Sequence, residues 1–340
     1  MDIKVIEEYL EKLCNTPSPT GFTKKCEKYL LEEFEKLGYE AYQTTKGNVV
    51  AKISQNKGNG LLLSAHIDTL GLMVRSIKSN GRLKVTTLGG FPLNYVEQEN
   101  VTVHTRDGKE YSGTVRLNEP AVHGSKEPYE AKRDADNMEV VLDLLVKNKE
   151  DVKKYGINAG DFISLDPRFR IQNGFIKSRH LDDKASSAML LALAREIKEK
   201  NIKLNRDIYM MFTVYEEVGH GAASGHPKDI TDMLAVDMGV VYDDLETDET
   251  KLSICAKDSS GPYNYDLTNE LIEIAKENNL DYAVDIYPFY GSDASAAMSS
   301  CYDYRHALIG AGIACSHGYE RVHENGLKNA YTLLEKFIQK

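Results

Sequence analysis

A chain of 340 residues is too long for one small core and suits two domains, or one large domain carrying an insertion. With 41% hydrophobic and 28% charged residues, and no uncharged apolar run near the ~20 residues of a membrane span, the composition excludes a membrane protein. A net charge of -10 without a basic stripe argues against nucleic acid as a partner, because neutralising phosphates takes clustered Lys and Arg.

The opening stretch MDIKVIEEYLEKLC is charged and amphipathic, with no basic segment leading into an apolar core and a cleavage site, so the expectation is a cytoplasmic protein without a secretory leader. Apolar positions at helical spacing predict helices over 3–14 and 24–37, the second following the turn sequence PSPTG. NVVAKI and GLLLSAHIDTL, starting at residues 48 and 60, are short apolar runs bounded by Gly and Asn, as in strands buried on both faces. Between 75 and 165 the pattern changes to short strands with Asn-Gly and Asp-Gly hairpin turns, plus one helical piece near 136–155. From Asp182 onward helices and strands alternate: a helix from 182 to 200, strands over 206–215 and 232–238, and helices over 263–279, 293–301 and 325–340. The fold class is α/β, a mixed-sheet α/β/α sandwich over 1–74 and 166–340, interrupted by a β-rich domain over 75–165. Five scattered cysteines (Cys14, Cys26, Cys255, Cys301, Cys315) with no C-x-x-C pair fit a reducing compartment and argue against a disulfide framework or a thiolate metal site.

In a mostly parallel sheet, reactive groups collect at the carboxyl edge of the strands. His66 and Asp68 end one predicted strand, Glu216 and Glu217 another, and Asp237 a third; Asp182 and Asp183 open the long helix, and His323 precedes the last one. Singly, each has an ordinary explanation: a His–Asp hydrogen bond, a helix N-cap, a turn Asp, a solvated His. Two adjacent carboxylates behind a buried strand are harder to explain that way, since they repel and lose hydration unless a cation or proton neutralises them. Together, His66, Asp182, Glu217, Asp237 and His323 match the N and O ligands of a dinuclear zinc or cobalt site. Their three carboxylates and a hydroxide balance two divalent ions. Glu216 is then the surplus carboxylate, placed to accept and return a proton, and Asp68 can hold the ring of His66 in one tautomer.

In order along the chain, SAHIDTLGLMV, LDDKASSAM, YEEVGHGAASG, AVDMG, YGSDASAAM and YERVH resemble the signatures of the TET-type dinuclear metallo-aminopeptidases, metallopeptidase family forty-two. The resemblance covers essentially the whole chain. It implies that His66 and Asp237 bind one metal, Glu217 and His323 the other, and that Asp182 bridges them. It further implies Glu216 as general base and acid and Asp68 as orienter of His66. The metals implied are two divalent ions per subunit, zinc first, with cobalt or manganese as alternatives. The insertion resembles a PDZ-like dimerisation domain, and the family's dimers often assemble into dodecamers that admit peptides. Three departures stand out: NEPAVHG, with His123, occupies the place of a Pro-Pro-His segment, YEEVG has Tyr215 where a Gln often stands, and GSDAS, with Asp293, matches Gly-Gly-Thr-Asp-Ala except that Ser292 replaces the Thr. The function expected is removal of N-terminal residues from peptides. The competing readings are a dinuclear carboxypeptidase or N-acyl amino-acid deacylase, which needs Arg or Lys for a substrate carboxylate, a non-catalytic metal-dependent binding module, and a glycosidase using a carboxylate pair.

Overall fold

The computed structural model describes residues 2–55 and 57–340. The chain divides into two units, residues 1–68 with 168–340, and residues 69–167.

In the first unit a mixed sheet counts ten strands among the described residues. Its main path runs Glu40–Gln43, Val49–Ser54, Ile208–Thr213, Gly60–His66, Ile230–Val236, Arg305–Ile313, Leu252–Asp258 and Gly261–Pro262. The four strands from Ile208–Thr213 to Arg305–Ile313 are mutually parallel, and the outer neighbours on both sides run antiparallel to them. Every residue of Gly60–His66 is buried. With side chains alternating between faces, Leu61, Leu63 and Ala65 join one apolar core and Leu62 the other. The larger core is covered by the helices Ile3–Cys14, Lys24–Leu37, Leu181–Glu199, Tyr265–Glu277 and Glu324–Phe337. The smaller is covered mainly by the short helix Asp293–Ser299, so the outer layers of the sandwich are unequal.

Local chemistry sets the helix ends. Asp2, Asn264 and Ser292 accept first-turn N–H bonds, and Gly38, at φ 74°, closes Lys24–Leu37 in the left-handed region. Leu181–Glu199 is buried on nearly all sides, in keeping with its Ala-, Leu- and Ser-rich sequence. A separate antiparallel sheet joins Arg170–Gln172, Phe175–Ser178 and Glu320–His323.

The second unit is a closed barrel of Gly71–Ile77, Leu83–Leu88, Met138–Leu142, Glu110–Leu117, Asn100–His104 and Phe162–Leu165. Leu72, Val85, Val103, Val115, Val140 and Ile163 fill its core. It begins earlier than the change of sequence character at residue 75 suggests, because Leu72 and Met73 already pair with Ile163 and Phe162. The helical piece expected near 136–155 shrinks to Lys149–Lys154. Its apolar first part, Met138–Leu142, is a strand paired with Glu110–Leu117, as its β-branched residues favour. No helix among the described residues is long and apolar enough to cross a membrane.

Candidate metal centre

Three parallel strands end side by side and deliver the acidic and imidazole groups. His66 is the last residue of Gly60–His66, Thr213 is its register partner, and Asp237 follows Val236. Asp237 is locked in place by its N–H bond to the Ile309 carbonyl at 2.9 Å. A Cβ at Gly310 would lie 1.5 Å from the Asp237 carbonyl, so only glycine lets that strand pass. The paired glutamates do not continue their strand as expected. The chain reverses at Tyr215, whose φ of 66° is left-handed, and Glu216–Val218 forms a short 3-10 turn.

His66 Nδ1 lies 2.9 Å from the backbone carbonyl of Asp68. A carbonyl only accepts, so Nδ1 is the donor and Nε2 is left to hold a proton or a cation. Nε2 faces Asp182 Oδ1 at 3.1 Å and Glu216 Oε2 at 3.7 Å. Ligand atoms of His66, Asp182 and Asp237 all lie within 4.8 Å of one another, and all three residues are buried. The other oxygen of Asp182, Oδ2, lies 3.6 Å from His317 Nε2, which is itself 3.5 Å from Glu217 Oε2.

Burial and mutual repulsion dominate the electrostatics. Burial, then the Asp182 carboxylate, pushes Asp237 up to about 7. Glu216, Glu217 and Asp183 are all held well above the usual carboxylate range, by burial first and neighbouring carboxylates next. Burial works against a charge on His66, but its bond to Asp182 and the Glu216 and Asp237 carboxylates outweigh it and raise its pKa well above the ordinary value. Burial likewise opposes ionisation of Asp182, yet His66, His317 and His180 hold its pKa below the usual value. So much acid in one buried place calls for positive charge, and the imidazole nitrogens and carboxylate oxygens are the donors a zinc-type ion takes. The residues present therefore fit divalent metal.

His323 is not part of this cluster. Its ring packs edge-on against Phe175 at 4.6 Å, and its Nδ1 accepts the N–H of Asn325 at 3.1 Å, so it caps the last helix. It ends the strand paired with Phe175–Ser178, which commits its side chain to that sheet. The histidine at the cluster is His317, six residues earlier in the loop before that strand. SHGYERVH holds both His317 and His323, and residue type alone does not distinguish them.

Glu320 was also missed. Buried, it accepts N–H bonds from Asp182 at 3.1 Å and from His317 at 3.0 Å, so one carboxylate fixes the backbone of both. Burial, then Asp182, raises its pKa well above the ordinary value. Asp183 accepts the His66 N–H at 3.1 Å. Asp68 approaches His66 through its carbonyl; its carboxylate Oδ1 lies at 3.7 Å from Nδ1. That carboxylate accepts instead from the Thr20 hydroxyl at 2.7 Å and from the Glu216 N–H at 3.1 Å. Asp293 starts a helix capped by Ser292 and accepts from Thr213 at 2.8 Å, while His123 is exposed in the barrel unit.

A cavity of about 510 Å³ opens onto the cluster. Asp182, Glu216, Glu217, Asp237 and His317 line it. Among the described residues no Lys or Arg lines it.

Known proteins resemble this chain along most of its length. The model of the M42 glutamyl aminopeptidase family matches residues 47–333. A Bacillus subtilis (strain 168) protein named "Putative aminopeptidase YhfE" is 43% identical over 334 residues, 98% of this chain and 96% of that protein. The TET aminopeptidase from the marine sediment archaeon Thaumarchaeota archaeon SCGC AB-539-E09 superposes with a TM-score of 0.88 at 22% identity, covering 98% of this chain and 97% of that one. Pyrococcus horikoshii TET1 peptidase, described as assembling into a tetrahedron or a large octahedral shell, gives 0.86 at 22% identity over 98% of this chain and 99% of the other. With a family model spanning most of its length and a relative this similar end to end, the chain belongs to the M42 glutamyl aminopeptidase family of peptidases.

Proposed function

We propose that this M42 peptidase is a metal-dependent aminopeptidase in which His66, Asp182, Glu217, Asp237 and His317 hold two divalent ions, zinc first, with cobalt or manganese as alternatives. The donor set of two imidazoles and three carboxylates supports this. Asp182 turns one oxygen to each histidine, which suits a bridging ligand with His66 and Asp237 on one side and Glu217 and His317 on the other. When bound, such ions polarise the scissile carbonyl and make water a nucleophile near neutral pH.

The chain supplies the proton traffic. Glu216 lines the cavity, stands outside the ligand set and has a side chain 14% exposed, so it is reachable from the substrate side. It takes the proton from the attacking water and returns it to the departing amine. Asp68 acts as its anchor, holding the Glu216 N–H through its carboxylate and the His66 ring through its carbonyl.

The observation that carries the exopeptidase direction is the cavity lining. A carboxypeptidase or deacylase on this scaffold needs a cation for the substrate carboxylate, and no Lys or Arg lines the cavity among the described residues. A substrate with a free N-terminal amine at this end asks for no such cation. The shells described for one structural relative and the dodecamer described for another support a homo-oligomer, while the dimers and the barrel unit's role as dimerisation domain rest on the family resemblance. Five free cysteines suit a cytoplasmic setting.

Stripping the metal, reloading zinc, cobalt or manganese, and offering free-amine and N-blocked aminoacyl reporters tests the reading. Free-amine reporters should be cleaved only after reloading, and Glu216→Gln should keep its metal while losing about 10²–10⁴ in rate. Preferential cleavage of N-blocked reporters would reassign the enzyme to the deacylases.

A further inference from the structure

The cavity has a wall that the chemistry above does not use. The helix Asp293–Ser299 and its caps present Ser292, Ser295, Ala296, Ser299 and Ser300 to the cavity, at the i, i+3, i+4, i+7 and i+8 spacing of a single helix face. Ser292 and Ser295 are already committed: they form the capping box, and Ser292 also shares a 2.8 Å bond with the Tyr263 hydroxyl. Phe289 and Tyr290 add aromatic surface, and Phe289 is 96% exposed. Outside the metal cluster, no Asp, Glu, Lys or Arg lines the cavity among the described residues. The carboxylate tied to this wall is Asp258, which is fully buried and spends both oxygens, one on Ser260 at 2.6 Å and the other on Tyr263 at 2.8 Å.

Resting on the aminopeptidase reading, we propose that this wall selects peptides whose first residue carries an uncharged side chain, and that Ala296 and Ser299 are specificity-determining positions. An acidic side chain entering the cavity meets no Lys or Arg; the imidazoles there are His317, at the metal cluster, and His220 on the facing loop. A basic one finds no carboxylate beyond those that hold metal or move the proton. Either loses hydration without gaining a Lys, an Arg or a spare carboxylate of opposite charge, and a site discriminates strongly against a group it leaves poorly paired. A neutral side chain gives up little on leaving water and gains contact with Ala296, Phe289 and Tyr290. The volume is in the range of small-ligand sites, about 300–1,000 Å³, and has room for a side chain beside the reacting bond.

The test compares leucyl, methionyl, glutamyl and lysyl p-nitroanilides, all with free amines, on the metal-loaded full chain. The neutral pair should exceed both charged reporters in kcat/KM by about 10-fold or more. Ser299→Lys, at the exposed end of the wall, and Ala296→Lys, deeper in it, should each raise the glutamyl reporter relative to the leucyl one. A second readout is binding: calorimetric titration of the Glu216→Gln variant with the same reporters should give the same order. Glutamyl or lysyl turnover at or above the leucyl rate, or no change of ratio in either lysine variant, overturns the assignment of this wall. Failure of the aminopeptidase reading itself looks different, since then no free-amine reporter of any kind is turned over, and the selectivity falls with it.

Discussion

His317 Nε2 lies 3.6 Å from Asp182 Oδ2, while the opposite oxygen of the same carboxylate faces His66 Nε2 at 3.1 Å. One aspartate thus stands between two histidines that are 251 positions apart, counting from 66 to 317. His317→Ala should lower metal content by one ion per subunit and reduce activity by more than about 100-fold, beyond what loss of an outer partner costs. His323→Ala should keep both ions, because that ring packs on Phe175 and caps a helix. Elemental analysis of the two purified variants decides between them, and metal loss in the second instead of the first would restore His323 to the ligand set.

Glu320 touches no proposed metal position, yet it fixes the N–H groups of both Asp182 and His317. Glu320→Gln keeps one acceptor and Glu320→Ala keeps none. The alanine variant should bind metal about 10–100-fold more weakly, with the glutamine variant in between. Titration of the stripped proteins with zinc measures this, and equal affinities for all three would confine Glu320 to a packing role.

The buried acids give the metal-free protein an unusual pH dependence. Asp237, pushed up to about 7, and the raised Glu216 and Glu217 hold more protons folded than unfolded across the interval above their unfolded values near about 4. Stability therefore falls as pH rises through that interval. His66 acts in the same direction: its raised pKa contributes stability that is complete at low pH and is lost as pH rises through the folded value. Asp182 acts oppositely, but only as pH falls below the ordinary carboxylate range. Melting curves in chelator should drop by several degrees between about pH 5 and pH 8, and zinc should remove most of that drop by replacing protons. A chelated protein that melts higher at the alkaline end contradicts the sign.

Gly221 lies where a Cβ would meet Asp293 Oδ1 at 2.0 Å and the Glu216 Cβ at 3.1 Å. Gly221→Ala should therefore cost about 1–3 kcal/mol and displace the turn that carries the proton-moving glutamate. Chemical denaturation gives the first effect and kcat the second. A variant with unchanged kcat and stability would mean that the loop relaxes freely.

Much of the sandwich was legible because its central strands are continuous apolar runs and its helices keep a 3.6-residue period. The helices over 3–14 and 24–37 fall where the spacing predicts them. Less legible was the strand Arg305–Ile313, whose Gly310 and Gly312 mask its β character until the close passage past Asp237 and Asp248 is visible. At the site, His66, Asp182, Glu217 and Asp237 follow from strand ends and a helix start. His317 does not, because two histidines share one polar stretch and only the pairing of Glu320–His323 with Phe175–Ser178 shows which ring is already occupied. Glu320 was hidden for a related reason. Its partners are backbone N–H groups, and nothing in a side-chain pattern points to those.

The wall helix Asp293–Ser299 carries none of the five clustered side chains, which come from strand ends, a 3-10 turn, the start of another helix and a loop. Taste and cutting power are thereby housed in separate pieces of the chain. Over evolutionary time the diet of such an enzyme can drift through changes at Ala296 or Ser299 with its hydrolytic engine intact, whereas any shift in the engine must move several distant segments together.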